Sequence, residues 1–235
     1  MDLSGLDIVV EGSQNGPATS KNKVDIVFVI DNSSSMSDVI EGVKNHINTF
    51  VTSLEKNANN KVDYRIGFVM HGSEKILVKE FTTSAIDFQQ SMQNTKNHDT
   101  GWNEFGLPAL DIAADFPWED KRHKFIIIFT DESTHGGHDT SFQLSKFDQL
   151  LSKLETLRTK IYYLGVDAED YQRFKEVPGT YYEPNDTFEQ VDFSELLNKI
   201  GKSVSQASGA GLQGGQNSVA KDLYDVKSKV QVINL

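Results

Sequence analysis

One carboxylate and two hydroxyl side chains alternate in the short segment Asp31-Asn32-Ser33-Ser34-Ser35. The segment directly follows residues 24–30, an apolar run rich in β-branched side chains that predicts a buried strand. Asp31, Ser33 and Ser35 can therefore converge where that strand ends, and oxygen-only ligands suit a hard cation such as Mg²⁺, Mn²⁺ or Ca²⁺. Taken alone, the segment is equally suited to an N-cap and turn before the next helix.

Two other segments carry oxygen ligands at the ends of predicted elements. Thr130 and Asp131 follow residues 125–129, the most apolar run in the chain, and the loop 99–104 precedes a predicted helix. A second aspartate at the end of a core strand favours a metal site over a helix cap. Neutral hydroxyl ligands leave the charge of a divalent ion incompletely balanced, so the ion would attract a carboxylate from another molecule.

Predicted strands and helices alternate from residue 24 onward, which indicates an α/β fold. We expect a doubly wound, mostly parallel sheet with helices on both faces and one antiparallel edge strand, a Rossmann-like arrangement. The predicted strands are 24–30, 64–70, 75–81, 125–129, 160–166 and 179–182, and the predicted helices are 39–54, 85–93, 107–116, 147–157, 171–177 and 191–204. Such sheets bind ligands at the carboxyl ends of their strands, near a topological switch point, and Asp31 and Asp131 stand at strand ends.

Composition divides the chain into three parts and excludes several functions. Residues 1–23 form an extension with a possible short strand at 6–10, residues 24–205 form the domain, and residues 206–235 form a glycine-rich linker and a C-terminal segment. The net charge of −11 argues against nucleic acid as a partner, because a protein needs a basic face to bind the phosphate backbone. The absence of cysteine excludes disulfides, thiolate zinc sites and thiol catalysis.

The same sequence gives expectations about membranes and compartment. No apolar run approaches the ~20 residues of a membrane-spanning helix, so we expect no direct membrane insertion. The N-terminus lacks the basic and apolar regions of a signal peptide. We therefore expect a cytoplasmic protein if Met1 is the natural start, and an extracellular or cell-surface protein if the chain is a mature fragment.

Together these segments resemble a von Willebrand factor A (vWA) domain with a metal-ion-dependent adhesion site. The family's D-x-S-x-S motif stands here as Asp31, Ser33 and Ser35, its later strand-end aspartate stands as Asp131, and the resemblance extends over residues 22–205. It implies that the two serines and a residue of the second loop bind the cation directly, while the two aspartates act through water. It also implies that a Glu or Asp of a protein partner completes the coordination of the ion, which we expect to be Mg²⁺, with Ca²⁺ or Mn²⁺ possible.

The residue of the second loop is either Thr100 or Glu104. Many A domains have a threonine a few residues before the next helix, where Thr100 stands, but the helix register favours Glu104. The short sequence segments around Asp31, Arg65 and Asp131 also resemble the integrin β-subunit I-like domain, in which a glutamate is the cation ligand of the second loop. A carboxylate ligand would lower the attraction of the ion for an external acid, and a hydroxyl would leave it stronger.

Three further residues have alternative interpretations. The I-like variety has a second, adjacent metal site with an aspartate where Asp38 stands, but Asp38 is also explained as favourable charge in the first turn of a helix. Trp102 is either an exposed aromatic anchor for a partner or packs against its own loop. The sequence His-Gly-Gly-His-Asp that begins at His135 is explained either by surface histidines in a glycine-rich loop or by a small transition-metal or acid–base site. Because the loop follows Asp131, we expect His135 to border the metal face and to contact the partner.

The resulting hypothesis is a non-enzymatic, metal-dependent protein-binding module for adhesion or complex assembly. No G-x-S-x-G elbow or phosphate-binding G-x-x-x-x-G-K-[ST] loop is present, and no histidine has a spacing that identifies it as a base for the serines. One alternative is a Mg²⁺-dependent hydrolase or phosphatase that uses Asp31 and Asp131 as a phosphotransfer pair. Another is a structural subunit whose metal only stabilises the fold.

Overall fold

A single six-stranded sheet organises the protein. The computed structural model describes residues 23–56, 62–72, 76–93, 106–133, 144–185, 188 and 191–209. The strands are β1 (Lys23–Asp31), β2 (Asp63–His71), β3 (Ile76–Thr82), β4 (His123–Thr130), β5 (Lys160–Gly165) and β6 (Tyr181–Pro184). The helices are α1 (Ser37–Lys56), α2 (Ala85–Gln93), α3 (Gly106–Ala114), α4 (Phe147–Thr156), α5 (Glu169–Gln172) and α6 (Phe193–Gly209), with 3₁₀ turns at Ser34–Met36 and Arg173–Glu176.

The strand order is β3-β2-β1-β4-β5-β6, and all neighbours are parallel except β3, which runs antiparallel to β2 at one edge. This topology confirms the predicted doubly wound sheet with one antiparallel edge strand. Of the helices that the structure describes, none is both long and apolar enough to cross a lipid bilayer.

Both faces of β1, one of the two central strands, are buried, which explains its nearly continuous apolar sequence. In β1, Ile26 and Phe28 point to the core formed with α1, α2 and α6, while Val27 and Val29 point to the core formed with α3 and α4. Successive side chains of a strand alternate between its faces, so one run of β-branched and aromatic residues serves both cores. The sheet is thereby packed on both sides, up to Val29 and Ile30 near the end of β1.

Several element boundaries differ from the predicted ones. The helix predicted over 107–116 ends at Ala114, because Pro117 disfavours helical backbone in the residue before it. The segment predicted as a helix over 171–177 is the short helix α5 followed by a 3₁₀ turn. The strand predicted over 179–182 begins two residues later, because Gly179 adopts a positive φ of 86° in the preceding turn.

The last helix is longer than its sequence suggests. The sequence predicts a helix over 191–204, but α6 runs over Phe193–Gly209 and includes the first residues of the glycine-rich stretch. Val204 and Ala207 are buried in the core, so packing outweighs the low helix propensity of Ser and Gly here. Gly201 allows α6 to lie directly on α1, because a Cβ at this position would lie 2.7 Å from the carbonyl oxygen of Phe50.

Candidate functional site

The candidate site lies where the carboxyl ends of β2, β1 and β4 stand side by side. Asp31 is the register partner of His71 on β2, and the pairing of Ile30 with Phe129 places Asp31 next to Thr130 on β4. The chain leaves β1 through α1 toward β2 on one side, while β4 lies on the other side, so this edge is the switch point of the sheet. Open α/β sheets bind their ligands at such points.

Asp31 ends β1 as a buried carboxylate with a fixed orientation. Its Oδ1 accepts a hydrogen bond from the backbone N–H of Ser33 at 2.8 Å, and its Oδ2 accepts one from the Thr130 hydroxyl at 3.3 Å. The bond to Ser33 closes an Asx-type turn that directs the chain away from the strand. The carboxylate is therefore held between the ends of two strands.

The two predicted serine ligands lie together on the outer side of this turn. Ser33 precedes the 3₁₀ turn, Ser35 lies within it and is exposed, and their hydroxyl oxygens are 2.9 Å apart. The buried side chain of Met36 anchors the turn to the core. Ser33 occupies the N-cap position of the 3₁₀ turn but its side chain makes no capping hydrogen bond. The capping alternative thus accounts for the backbone of Ser33 but not for its hydroxyl.

The spacing of the two hydroxyls is compatible with a small divalent cation. Adjacent ligands of an octahedral ion at about 2.0–2.1 Å from Mg²⁺ lie about 2.9 Å from each other, whereas the longer bonds of Ca²⁺ would separate them by about 3.3–3.7 Å. The observed 2.9 Å is also the length of an ordinary O–H···O hydrogen bond. The same pair can therefore hold its own hydrogen bond or accept an ion of the size of Mg²⁺ with little movement.

Two buried acceptor atoms near Asp31 have no hydrogen-bond donor in the described part of the chain. They are Oδ1 of Asp131, which directly follows β4, and Oδ1 of Asn32. Buried polar atoms are nearly always satisfied, and unpaired acceptors at one sheet edge fit a hydrated cation. Among the described residues, no group of three or more His, Cys, Asp or Glu side chains forms a metal cluster.

His71 is a neighbour of the site that the sequence interpretation missed. It is buried at the end of β2, and its carbonyl oxygen accepts the N–H of Asn32 at 2.6 Å. Its ring also lies beside Gly106, the first residue of α3, with Cε1 3.8 Å from the place that a Cβ of Gly106 would occupy. The signal that could have identified His71 is its register opposite Asp31 on the next strand.

The structure places the remaining candidates as follows. Asp38 lies exposed in the first turn of α1, as expected for a residue that interacts with the helix dipole. Thr100, Trp102, Glu104 and His135 lie outside the described residues. Gly106, the first described residue after the first three of them in the chain, begins α3 beside His71.

Comparison with known proteins identifies the family and supports the fold. The family model for the von Willebrand factor type A domain matches residues 25–203. The chain belongs to this family. A solved structure described as the crystal structure of the SpRpn10 VWA domain has the same fold as this vWA domain, with a TM-score of 0.55 and 14% identity over 81% of this chain and 99% of that chain. Among curated protein sequences, none matches the chain.

Proposed function

We propose that this vWA domain is a non-enzymatic module that captures an acidic side chain of a protein partner through a divalent cation, most simply Mg²⁺. Domains of this family commonly mediate protein–protein interaction. The observation that carries the proposal is the pair of outward-facing hydroxyls of Ser33 and Ser35, 2.9 Å apart, in front of the fixed carboxylate of Asp31. When bound, the cation would supply positive charge and an open position for a carboxylate.

Each residue has a distinct part in this proposal. Ser33 and Ser35 would contact the ion directly, and Asp31 would act from behind them through water, because both of its oxygens already accept hydrogen bonds. Asp131 would balance charge from the end of β4, where its Oδ1 lacks a donor among the described residues. Hydroxyl ligands keep the local negative charge low, so the ion would retain a strong attraction for an external carboxylate.

The proposal leaves the second loop to supply one more ligand, either Glu104 or Thr100. The variants Glu104→Gln and Thr100→Val separate the two, because only the loss of the true ligand would weaken ion binding. In the same proposal, Trp102 and His135 contact the partner around the metal. Their replacement by Ala would then weaken partner binding while the affinity for Mg²⁺ stays unchanged.

Binding without turnover is favoured by the hydrogen bonding of the serines. A nucleophilic serine needs a base that accepts its proton. The hydrogen bond described for the Ser33 hydroxyl is to the Ser35 hydroxyl, and His71 is buried at the end of β2. This arrangement presents two neutral ligands to an ion rather than one activated nucleophile to a substrate.

The test uses an acidic polymer as a simple partner. Immobilised poly-L-glutamate is exposed to the domain in Mg²⁺ and in excess EDTA, with poly-L-glutamine as the neutral surface. We expect Mg²⁺-dependent retention on poly-L-glutamate, because the chain carries a net charge of −11 and should otherwise be repelled.

The matched control is the double variant Ser33→Ala/Ser35→Ala, which keeps the net charge and therefore any general screening by Mg²⁺. Retention of this variant equal to that of the wild type would contradict the proposal. Equal retention in Mg²⁺ and in EDTA would contradict it as well.

A further inference from the structure

Thr130 joins two parts of the candidate site that are 99 residues apart in sequence. It is the last residue of β4 and is buried. Its Oγ1 lies 3.3 Å from Oδ2 of Asp31, 3.1 Å from the carbonyl oxygen of Glu132, and 3.3 Å from the backbone nitrogen of Glu132, whose N–H it accepts. One hydroxyl therefore contacts both the end of β1 and the loop that carries Asp131.

The chemistry of these groups gives the hydrogen bonds a direction. A threonine hydroxyl has one proton, which it can donate either to Asp31 or to the Glu132 carbonyl, and a charged carboxylate is the stronger acceptor. The N–H of Glu132 donates to the other side of the same oxygen. The Glu132 N–H thus donates to Thr130, Thr130 donates to Oδ2 of Asp31, and the Ser33 N–H donates to Oδ1 of the same carboxylate.

Packing holds the Thr130 side chain in the orientation that these hydrogen bonds need. Gly165 on β5 lies directly beside it, and a Cβ on Gly165 would lie 3.0 Å from the Thr130 methyl group and closer still to the Thr130 carbonyl oxygen. The N–H of Val166 also donates to that carbonyl oxygen at 3.3 Å. The methyl group is thus confined by β5, which leaves the hydroxyl facing Asp31.

We propose that Thr130 is a positioning residue that couples the loop after β4 to Asp31, so that both carboxylates face the cation together. This inference rests on the proposed function, since it concerns the same site. Partners of metal-binding groups fix their orientation, and their mutation typically lowers metal affinity about 10–100-fold. Thr130→Val keeps the shape of the side chain, removes the donor to Asp31 and removes the acceptor of the Glu132 N–H.

The experiment is a calorimetric titration of Mg²⁺ into the metal-free full chain. We expect the dissociation constant to rise about 10–100-fold in Thr130→Val, whereas Thr130→Ser, which keeps the hydroxyl, should restore affinity close to that of the wild type. The control is Thr159→Val. Thr159 is also buried, directly before β5, and its hydroxyl has no hydrogen-bond partner among the described residues, so this variant should bind Mg²⁺ like the wild type.

Thermal unfolding in EDTA separates positioning from simple stability. If Thr130→Val lowers the melting temperature but binds Mg²⁺ as tightly as the wild type, Thr130 is only structural and the inference is wrong. If Thr130→Val does not fold, Thr130→Ala, which adds no atoms, replaces it with the same expectation. A wild type that binds no Mg²⁺ would overturn the proposed function itself, a result distinct from equal affinities in the wild type and the variant.

Discussion

The replacement Asp25→Asn tests how the sheet is held at the edge opposite the candidate site. Asp25 is fully buried near the start of β1 and accepts hydrogen bonds from two guanidinium groups. Its Oδ1 lies 2.8 Å from Nε of Arg65 and 2.5 Å from Nε of Arg122, and its Oδ2 lies 2.5 Å from Nη2 of Arg65. Arg122 is only 4% exposed and also bonds to Asp63, and these hydrogen bonds hold the pKa of Asp63 below its ordinary value.

The magnitude follows from removing the fully buried negative charge that Arg65 and Arg122 share. The amide of asparagine has one acceptor oxygen and would turn N–H donors toward the guanidinium groups. Removing one member of a buried ion pair costs about 3–5 kcal/mol. For a domain of this size 1 kcal/mol corresponds to about 2–4 °C, so the melting temperature should fall by about 6–20 °C.

Urea denaturation and thermal melting measure this loss, and Asp111→Asn is the matched control. Asp111 pairs with Lys153 on the surface, with side chains 61% and 31% exposed, and such pairs contribute about 0–1 kcal/mol. A loss below about 1 kcal/mol for Asp25→Asn would refute the reasoning, because it would place the buried pair in the same range as exposed ones. Asp25 lies six residues before Asp31, about 20 Å along the strand, so Mg²⁺ affinity should not change.

Two further variants test the packing under α6. Burial and the nearby Lys160 lower the pKa of His123 to about 4, so the folded state favours neutral imidazole. Neutral His123 stabilises the fold fully above the unfolded pKa of about 6.5, and this contribution is lost as the pH falls toward about 4. The difference in unfolding free energy between the wild type and His123→Gln should therefore shrink as the pH is lowered from about 7 to about 4.5. A difference that stays constant over this range would contradict the prediction. Gly201→Ala places a methyl group against Ser53 and the Phe50 carbonyl. The steric cost of overpacking, about 1–3 kcal/mol, should exceed the gain of about 1 kcal/mol from the higher helix propensity of Ala, so Gly201→Ala should be less stable in urea than the wild type. A variant more stable than the wild type would show that α6 can move away from α1.

Most of the fold could be predicted because each buried strand has its own local signal. The run 125–129 and the run 24–30 are apolar on both faces, and the structure places both at the centre of the sheet. Errors occurred where a boundary depends on a single backbone feature or on distant packing. β6 begins two residues later than predicted because Gly179 lies in a turn with a positive φ. The buried contacts of Val204 and Ala207 extend α6 through residues of low helix propensity.

The site was predictable only in its local part. Asp31, Ser33 and Ser35 are close in sequence, so their spacing alone indicated that they could converge, and the structure places the two hydroxyls side by side. The contact between Thr130 and Asp31 depends on the register of two strands whose residues are 99 positions apart, and no local pattern encodes that register. The same holds for His71, which lies beside Asp31 only because β1 and β2 pair.

The most direct test of the central claim is a titration of Mg²⁺ into the metal-free wild type and into Ser33→Ala/Ser35→Ala, with thermal unfolding of both in EDTA. The two proteins have the same charge, and the exposed hydroxyls contribute little to the core, so we expect similar melting temperatures without metal. We expect one saturable Mg²⁺ site in the wild type and loss of that site in the variant. Equal Mg²⁺ affinity in both proteins would contradict the account, because the ion would then be bound elsewhere.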